Sequence, residues 1–134
     1  MLRVAGSVIA GLITWVLIAT LLNFGLRFTI PAYHAAEATL QFTLAMKIGR
    51  LVEAAIASVA AGAAVALVAP RSRWAPALMG LIVLGMFLPV HLRLWDKFPI
   101  WYHLAFLVPL IPLAAAGGML PSARTTRSRT AAST

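Results

Sequence analysis

Residues 4–26 read VAGSVIAGLITWVLIATLLNFGL, a run of 23 residues without a charged side chain between Arg3 and Arg27. About 20 mainly apolar residues in a helix suffice to cross a hydrocarbon core about 30 Å thick. The run is longer than the roughly 7–15 apolar residues of a cleaved signal peptide, and no clear small-x-small cleavage site follows it before Tyr33. It therefore predicts a first transmembrane helix.

The composition of the whole chain also points to lipid. Of its 134 residues, 62% are hydrophobic and 10% are charged, and the mean hydropathy is +0.94. An average soluble domain is roughly 45–50% apolar. Fourteen charged side chains cannot cover the surface of a water-soluble body of this size, so an ordinary soluble globule is excluded.

Three further uncharged runs follow, at residues 54–70, 74–92 and 98–123. Pro70 ends the helix of the first of these runs, and counting about 20 residues back from Ala69 starts that span near Arg50. The predicted spans are 4–26, 50–69, 74–92 and 99–120. A second helix beginning near Ala32 is the alternative, because residues 32–46 contain good helix formers and no breaker.

These spans predict an all-α integral membrane four-helix bundle with up-down-up-down topology, formed by residues 1–120. The short connection Leu92–Pro99 is of the length that joins antiparallel neighbours. Kinks are expected in the third and fourth helices at Pro89 and at Pro109 and Pro112, because proline lacks a backbone donor. Residues 121–134 are rich in Ser, Thr, Ala and Arg, and predict a disordered basic cytoplasmic tail.

The distribution of Lys and Arg predicts the orientation. One side has Arg3, Arg71, Arg73, Arg124, Arg127 and Arg129, and the other has Arg27, Lys47, Arg50, Arg93 and Lys97. Lys47 and Arg50 belong to a helix and not to a short loop, so the loop count favours cytoplasmic termini in an inner or plasma membrane. The net charge of +8 then reflects topology, with no nucleic acid implied. The tail residues Arg124, Arg127 and Arg129 are expected to attract anionic lipid.

Small residues at four-residue spacing predict where the helices pack. The second span has Ala54, Ser58, Gly62 and Ala66, and the first has the shorter series Gly6, Ala10 and Thr14. Small side chains let membrane helices approach closely. The contact is expected within the chain or in a homo-oligomer, and chance spacing in an Ala-rich helix is the alternative.

A polar cluster is predicted at the outer boundary. Lys47, Arg50 and Glu53 follow one another at three-residue spacing and share one helix face. Ionisable groups inside a membrane suggest an ion or substrate site, and Glu53 is expected to pair with Arg50 or to be protonated. A basic pair that reaches the interface and is neutralised by one acid is the alternative.

His91 and His103 complete this candidate outer-face site, since they lie equally far from Lys97 in the short connection. Antiparallel helices place them at similar depth, where imidazoles can ligate a metal or haem iron. Two histidines make an incomplete metal site, however. Hydrogen bonding at the headgroup level beside Trp95 and Trp101 is the favoured interpretation.

The stretch from His91 to Pro112, HLRLWDKFPIWYHLAFLVPLIP, carries a Trp-Asp-Lys-Phe-Pro turn followed by Trp-Tyr-His. In this stretch the chain resembles a group of small four-span bacterial membrane proteins to which no activity is attached. The resemblance covers a fifth to a quarter of the chain. It implies the architecture and assigns no role to any residue.

No enzyme motif is present: the chain has no Gly-x-Ser-x-Gly, no HExxH and no Cys. We therefore expect no enzymatic activity, no cofactor and no metal. A small accessory or assembly subunit that packs on partner membrane helices is the leading prediction. A small homo-oligomeric transporter or channel with a polar outer mouth is the alternative, and a His-ligated metal or haem protein comes third.

Overall fold

The computed structural model describes residues 1–132, apart from the side chains of residues 123–126. Regular secondary structure in this part of the chain is entirely α-helical. The helices are α1 (Leu2–Thr29), α2 (Tyr33–Thr39), α3 (Leu44–Val68), α4 (Ala75–Arg93), α5 (Ile100–Leu107) and α6 (Leu110–Ala132). Four helical stretches are long and apolar enough to cross a membrane: α1, α3, α4 and residues 100–132. They support a multi-pass membrane protein.

Helix α1 packs on α3 through a narrow face. Its buried residues include Ser7, Gly11, Trp15 and Ala19, at four-residue spacing. At Gly11, a Cβ atom would collide with the Val65 side chain, so the absence of a side chain permits the close approach. The other faces of α1 expose large apolar residues, as contact with lipid requires.

Arg3 fixes the relative direction of these two helices. Its Nε donates to the carbonyl oxygen of Val68 at 3.0 Å, so the start of α1 lies beside the end of α3. A hydrogen bond from Trp15 Nε1 to Ser58 Oγ, at 3.1 Å, joins the same helices near their middle. Both polar groups of this second bond are buried, and each satisfies the other.

The segment before α3 differs from the longer helix considered from the sequence. Helix α2 ends at Thr39, and Leu40 takes the left-handed conformation with φ 57°. Helix α3 begins only at Leu44, where the Thr43 hydroxyl accepts from the Met46 backbone N–H at 3.3 Å. The good helix formers before Met46 are therefore overruled by a new N-cap at Thr43. Phe42, in the connection between α2 and α3, is buried.

Helices α3 and α6 approach through two glycines. A Cβ on Gly62 would collide with the backbone of Ala114, and one on Gly117 would collide with the backbone of Val59. We call these two contacts the glycine seam. Because Gly62 faces Ala114 and Val59 faces Gly117, helices α3 and α6 run antiparallel at the seam.

The prolines have unequal effects on the helices. Helix α4 continues through Pro89, whereas the fourth span divides into α5 and α6 at Val108 and Pro109. Pro112 lies in the first turn of α6, where the missing N–H would have no helical partner. The kinks at these positions stay predictions. The turn between α4 and α5, residues 94–99, falls within the connection expected from the sequence.

From Pro121 the structure continues α6 to Ala132. The disorder expected from the sequence for residues 121–134 stays a prediction. Alanine and arginine are good helix formers, so residues beyond Pro121 can extend an existing helix. Arg127 and Arg129 are exposed on this extension. The side chain of Arg124 and residues 133–134 lie outside the described part.

Candidate functional site

A cavity of about 540 Å³ lies at the end of the bundle where α1 ends and α3 begins. We call it the polar cavity. Its lining comes from α1 to α5 and comprises Trp15, Ala19, Thr20, Asn23, Phe24, Arg27, Glu37, Leu40, Phe42, Arg50, Glu53, Ala54, Phe87, Val90, His91, Leu94, Phe98, Tyr102 and Phe106. Charged groups in the lining are thus enclosed by aromatic and aliphatic walls.

Three of the five polar residues singled out in the sequence line this cavity: Arg50, Glu53 and His91. His103 is fully buried and lies behind His91, to which it is hydrogen-bonded. Lys47 lies in the first turn of α3, is half-buried and is not part of the lining. The structure therefore brings together four of the five residues and leaves Lys47 at the edge.

Arg50 is held by aromatic side chains. Its Nη1 donates to the Tyr33 hydroxyl at 2.9 Å, and its Nε donates to the Tyr102 hydroxyl at 3.2 Å. Its guanidinium carbon lies 4.9 Å from the centre of the Phe42 ring, a cation–π contact. The two tyrosine partners were not predicted from the sequence, because Tyr33 and Tyr102 lie 17 and 52 residues from Arg50 along the chain.

Tyr33 is fully buried at the start of α2. Burial raises the pKa of its phenol, while the neighbouring Arg50 charge and hydrogen bond act in the opposite direction. The phenol is thus retained as a neutral acceptor for the guanidinium.

Glu53 does not pair with Arg50. In residues 1–132, leaving aside the side chains of residues 123–126, the structure has one ion pair, between Arg27 Nε and Glu37 Oε2 at 2.8 Å. The Oε2 atom of Glu53 is buried without a hydrogen-bond partner. The expected pairing with Arg50 is therefore absent, and the guanidinium donates instead to the two tyrosine hydroxyls.

Asn23 and Glu37 extend the site beyond the residues predicted. The Asn23 Nδ2 donates to Glu37 Oε1 at 3.1 Å, and the Asn23 Oδ1 is buried without a partner. The available sequence signal was Asn23 itself, a carboxamide within the first apolar run. Polar residues within a membrane span are rare enough to indicate a site.

The two histidines bond to each other. Their Nδ1 atoms are 2.8 Å apart, and His103 Nε2 lies 3.3 Å from the carbonyl oxygen of Trp95. A carbonyl only accepts, so His103 Nε2 carries the hydrogen and its Nδ1 accepts from His91 in the neutral pair. The Trp95 ring stacks on His103, with 4.7 Å between the ring centres. Hydrogen bonding of the two histidines at the headgroup level beside Trp95 and Trp101 stays a prediction.

A shared metal ion between these histidines does not fit that geometry, since Nδ1 atoms 2.8 Å apart lie closer together than two nitrogens that each bind one tetrahedral zinc ion at about 2.0–2.1 Å. Among the described residues, no group of three His, Cys, Asp or Glu side chains has a metal-binding arrangement. The pair therefore forms a hydrogen-bonded dyad.

The small-residue series predicted on α3 lies in the interior: Ala54, Ser58, Gly62 and Ala66 are buried. On α1 the buried face is shifted by one residue from the predicted series. Gly6 is exposed with open space around it, and Ala10 is half-buried. The α1 contact is therefore made by the residue series that contains Gly11.

No protein-family model, curated protein or solved structure matches the chain. The geometry of the polar cavity is thus the basis for the functional argument.

Proposed function

We propose that this non-enzymatic multi-pass membrane protein binds a small polar molecule in the polar cavity, as a small transporter does. The supporting observation is the cavity itself, which collects ionisable side chains from α1, α2, α3 and α4 within an apolar bundle. Its volume falls in the range of about 300–1,000 Å³ typical of small-molecule sites. Ionisable groups kept inside a membrane bundle are costly and usually mark such pathways.

We further propose that the four spans have up-down-up-down topology with both termini cytoplasmic, in an inner or plasma membrane. Under the positive-inside rule, Arg71 and Arg73 mark the cytoplasmic connection. The polar cavity then opens at the outer face. Arg127 and Arg129 of the tail contact anionic lipid on the cytoplasmic side.

The accessory-subunit role is the second candidate. Broad apolar faces support it, for example Ile13, Leu17 and Leu21 on α1, each more than half exposed. Partner helices cover such a face as readily as lipid does. A stoichiometric partner in a gentle detergent pull-down is the expected result for this role, and isolation of the chain alone would count against it.

Cysteine accessibility tests the transporter proposal directly, because the chain has no Cys. Thr20 lines the polar cavity, while its neighbour Leu21 is exposed on the outside of the bundle and is not part of the lining. We expect Thr20→Cys in full-length protein in liposomes to react with a charged thiosulfonate from water. Leu21→Cys, facing lipid, should stay unlabelled. Equal, negligible labelling at both positions would contradict a water-accessible binding cavity.

A further inference from the structure

The polar cavity has an excess of hydrogen-bond acceptors. In the described part of the chain, three buried side-chain polar atoms lack a partner, and two of them belong to cavity residues: Glu53 Oε2 and Asn23 Oδ1. Both are oxygens, and a carboxylate or amide oxygen accepts hydrogen bonds. A buried polar atom without a partner costs about 1–3 kcal/mol. A ligand that donates hydrogen bonds would remove that cost.

Several donors of the cavity are engaged in the structure. Arg50 directs Nε and Nη1 to two tyrosine hydroxyls. Arg27 Nε and Asn23 Nδ2 both donate to Glu37. A ligand that supplies N–H groups would leave these bonds in place and would meet the two buried acceptor atoms that have no partner.

His91 adds a third acceptor. In the neutral dyad its Nδ1 carries the hydrogen given to His103, so its Nε2 has a free lone pair. His91 belongs to the lining, whereas His103 does not. The hydrogen bond between the two histidines therefore fixes the His91 tautomer in which Nε2 is an acceptor.

Aromatic rings form the walls beside these acceptors. Trp15 lies 5.0 Å from Phe87, and Phe87 lies 5.2 Å from Phe106, measured between ring centres, and all three line the cavity. Ring faces attract cations, most strongly where water is excluded. The same cavity already holds one cation in this way, Arg50 over Phe42.

The formal charges of the lining balance. Arg27 is neutralised by Glu37 at 2.8 Å, which leaves Arg50 and Glu53. The Arg50 charge is directed to Tyr33, Tyr102 and Phe42. The Glu53 carboxylate is thus the ionisable group of this cavity that has an unused buried atom.

We propose that the polar cavity binds a protonated organic amine, whose N–H groups donate to Glu53 and Asn23 and whose carbon part packs on the aromatic walls. This inference rests on the proposed function and specifies the ligand class of the same site. It requires N–H groups on the amine, one for each of the two acceptors, which separates the ligand from a quaternary ammonium ion.

The first test compares the charge preference of the thiol that Thr20→Cys introduces, in full-length protein in liposomes. The probes are trimethylammonioethyl and sulfonatoethyl methanethiosulfonate, with rates normalised to a free thiol in solution. A site that concentrates cations should react about tenfold faster with the cationic probe. The added Glu53→Gln substitution should abolish that preference. Asp96→Asn, which removes an exposed acid of the α4–α5 turn, should retain it.

The second test measures how far small ligands protect the same introduced thiol. Benzylammonium should slow labelling the most, benzyltrimethylammonium less because it has no N–H, and benzyl alcohol and benzoate little. In the Glu53→Gln protein the four ligands should no longer differ in how far they slow labelling. Asn23→Leu provides a second variant if Glu53→Gln does not fold, as judged by helical content and a single size-exclusion peak.

The outcomes separate the two proposals. Three outcomes overturn the amine proposal and leave the proposal of a water-accessible cavity in place. The introduced thiol reacts without charge preference, it prefers the anionic probe, or its preference is unchanged by Glu53→Gln. An unreactive thiol in the Thr20→Cys protein overturns both. Cation preference lost in Glu53→Gln, together with protection by benzylammonium, supports both.

Discussion

His91 and His103 share one hydrogen bond between their Nδ1 atoms, 2.8 Å apart, across the turn that joins α4 to α5. The chain of donors runs from His91 to His103 and on to the Trp95 carbonyl oxygen. Each member depends on the next, since removing one partner leaves a buried group unsatisfied. The dyad thus ties the end of α4 to the start of the fourth span.

Replacing His103 with Ala should destabilise the protein by about 1–3 kcal/mol, because His91 loses its buried acceptor. Thermal unfolding in mild detergent, followed by helical content, measures the loss. His34→Ala is the matched control, as His34 is an exposed histidine on α2. Identical unfolding of both variants would show that the dyad does not contribute to stability.

The glycine seam should not tolerate a methyl group. Gly62→Ala and Gly117→Ala place a Cβ against the backbone of the facing helix, and such overpacking typically costs about 1–3 kcal/mol. Gly6→Ala and Gly85→Ala, where nothing lies near the added atom, should be neutral or slightly stabilising because Ala favours helix. Detergent unfolding of the four variants measures the contrast. Seam variants as stable as these controls would contradict the packing.

Tyr33 should make stability fall in alkaline solution. Its pKa is raised in the folded protein by burial, so above about pH 10 the unfolded chain loses this proton first. The phenol's contribution is complete below that pH and is lost as the pH rises through the folded pKa. Unfolding midpoints across this range should fall more steeply for the wild-type protein than for Tyr33→Phe. Parallel curves would contradict the prediction.

The proposed membrane topology places two connections on opposite sides of the membrane. Pro70→Cys, in the connection between α3 and α4, should be labelled only after right-side-out vesicles are permeabilised. Asp96→Cys, in the connection between α4 and α5, should be labelled in intact vesicles. These substitutions leave the Lys and Arg distribution unchanged. Labelling of both positions from one side would contradict a crossing by α4.

The number of spans could be predicted from the sequence because crossing a bilayer requires a minimum length of apolar chain. The clustering of Arg50, Glu53 and His91 followed from depth alone, since residues at matching distances from the turns lie at matching levels. The depth of a residue in the membrane does not determine which face of its helix is turned toward the bundle, however. Each residue series of α1 is largely apolar, so the face containing Gly11 could not be distinguished from that containing Gly6.

The partners of the charged groups could not be predicted for a different reason. Arg50 had a carboxylate three residues away, and charge alone favoured that pairing. The structure instead gives its donors to hydroxyls of Tyr33 and Tyr102. That choice depends on the break at Leu40, which orients α2, and no sequence pattern before Thr43 outweighed the good helix formers there.

Packing is uneven along α3. Backbone lies against backbone at Gly62 and Gly117, whereas Arg50 and Glu53, nearer the start of α3, line about 540 Å³ of open space. Motion concentrates where packing is sparse. The start of α3 is therefore expected to shift more readily than the part beside Gly62, so that the width of the polar cavity can change without separating α3 from α6.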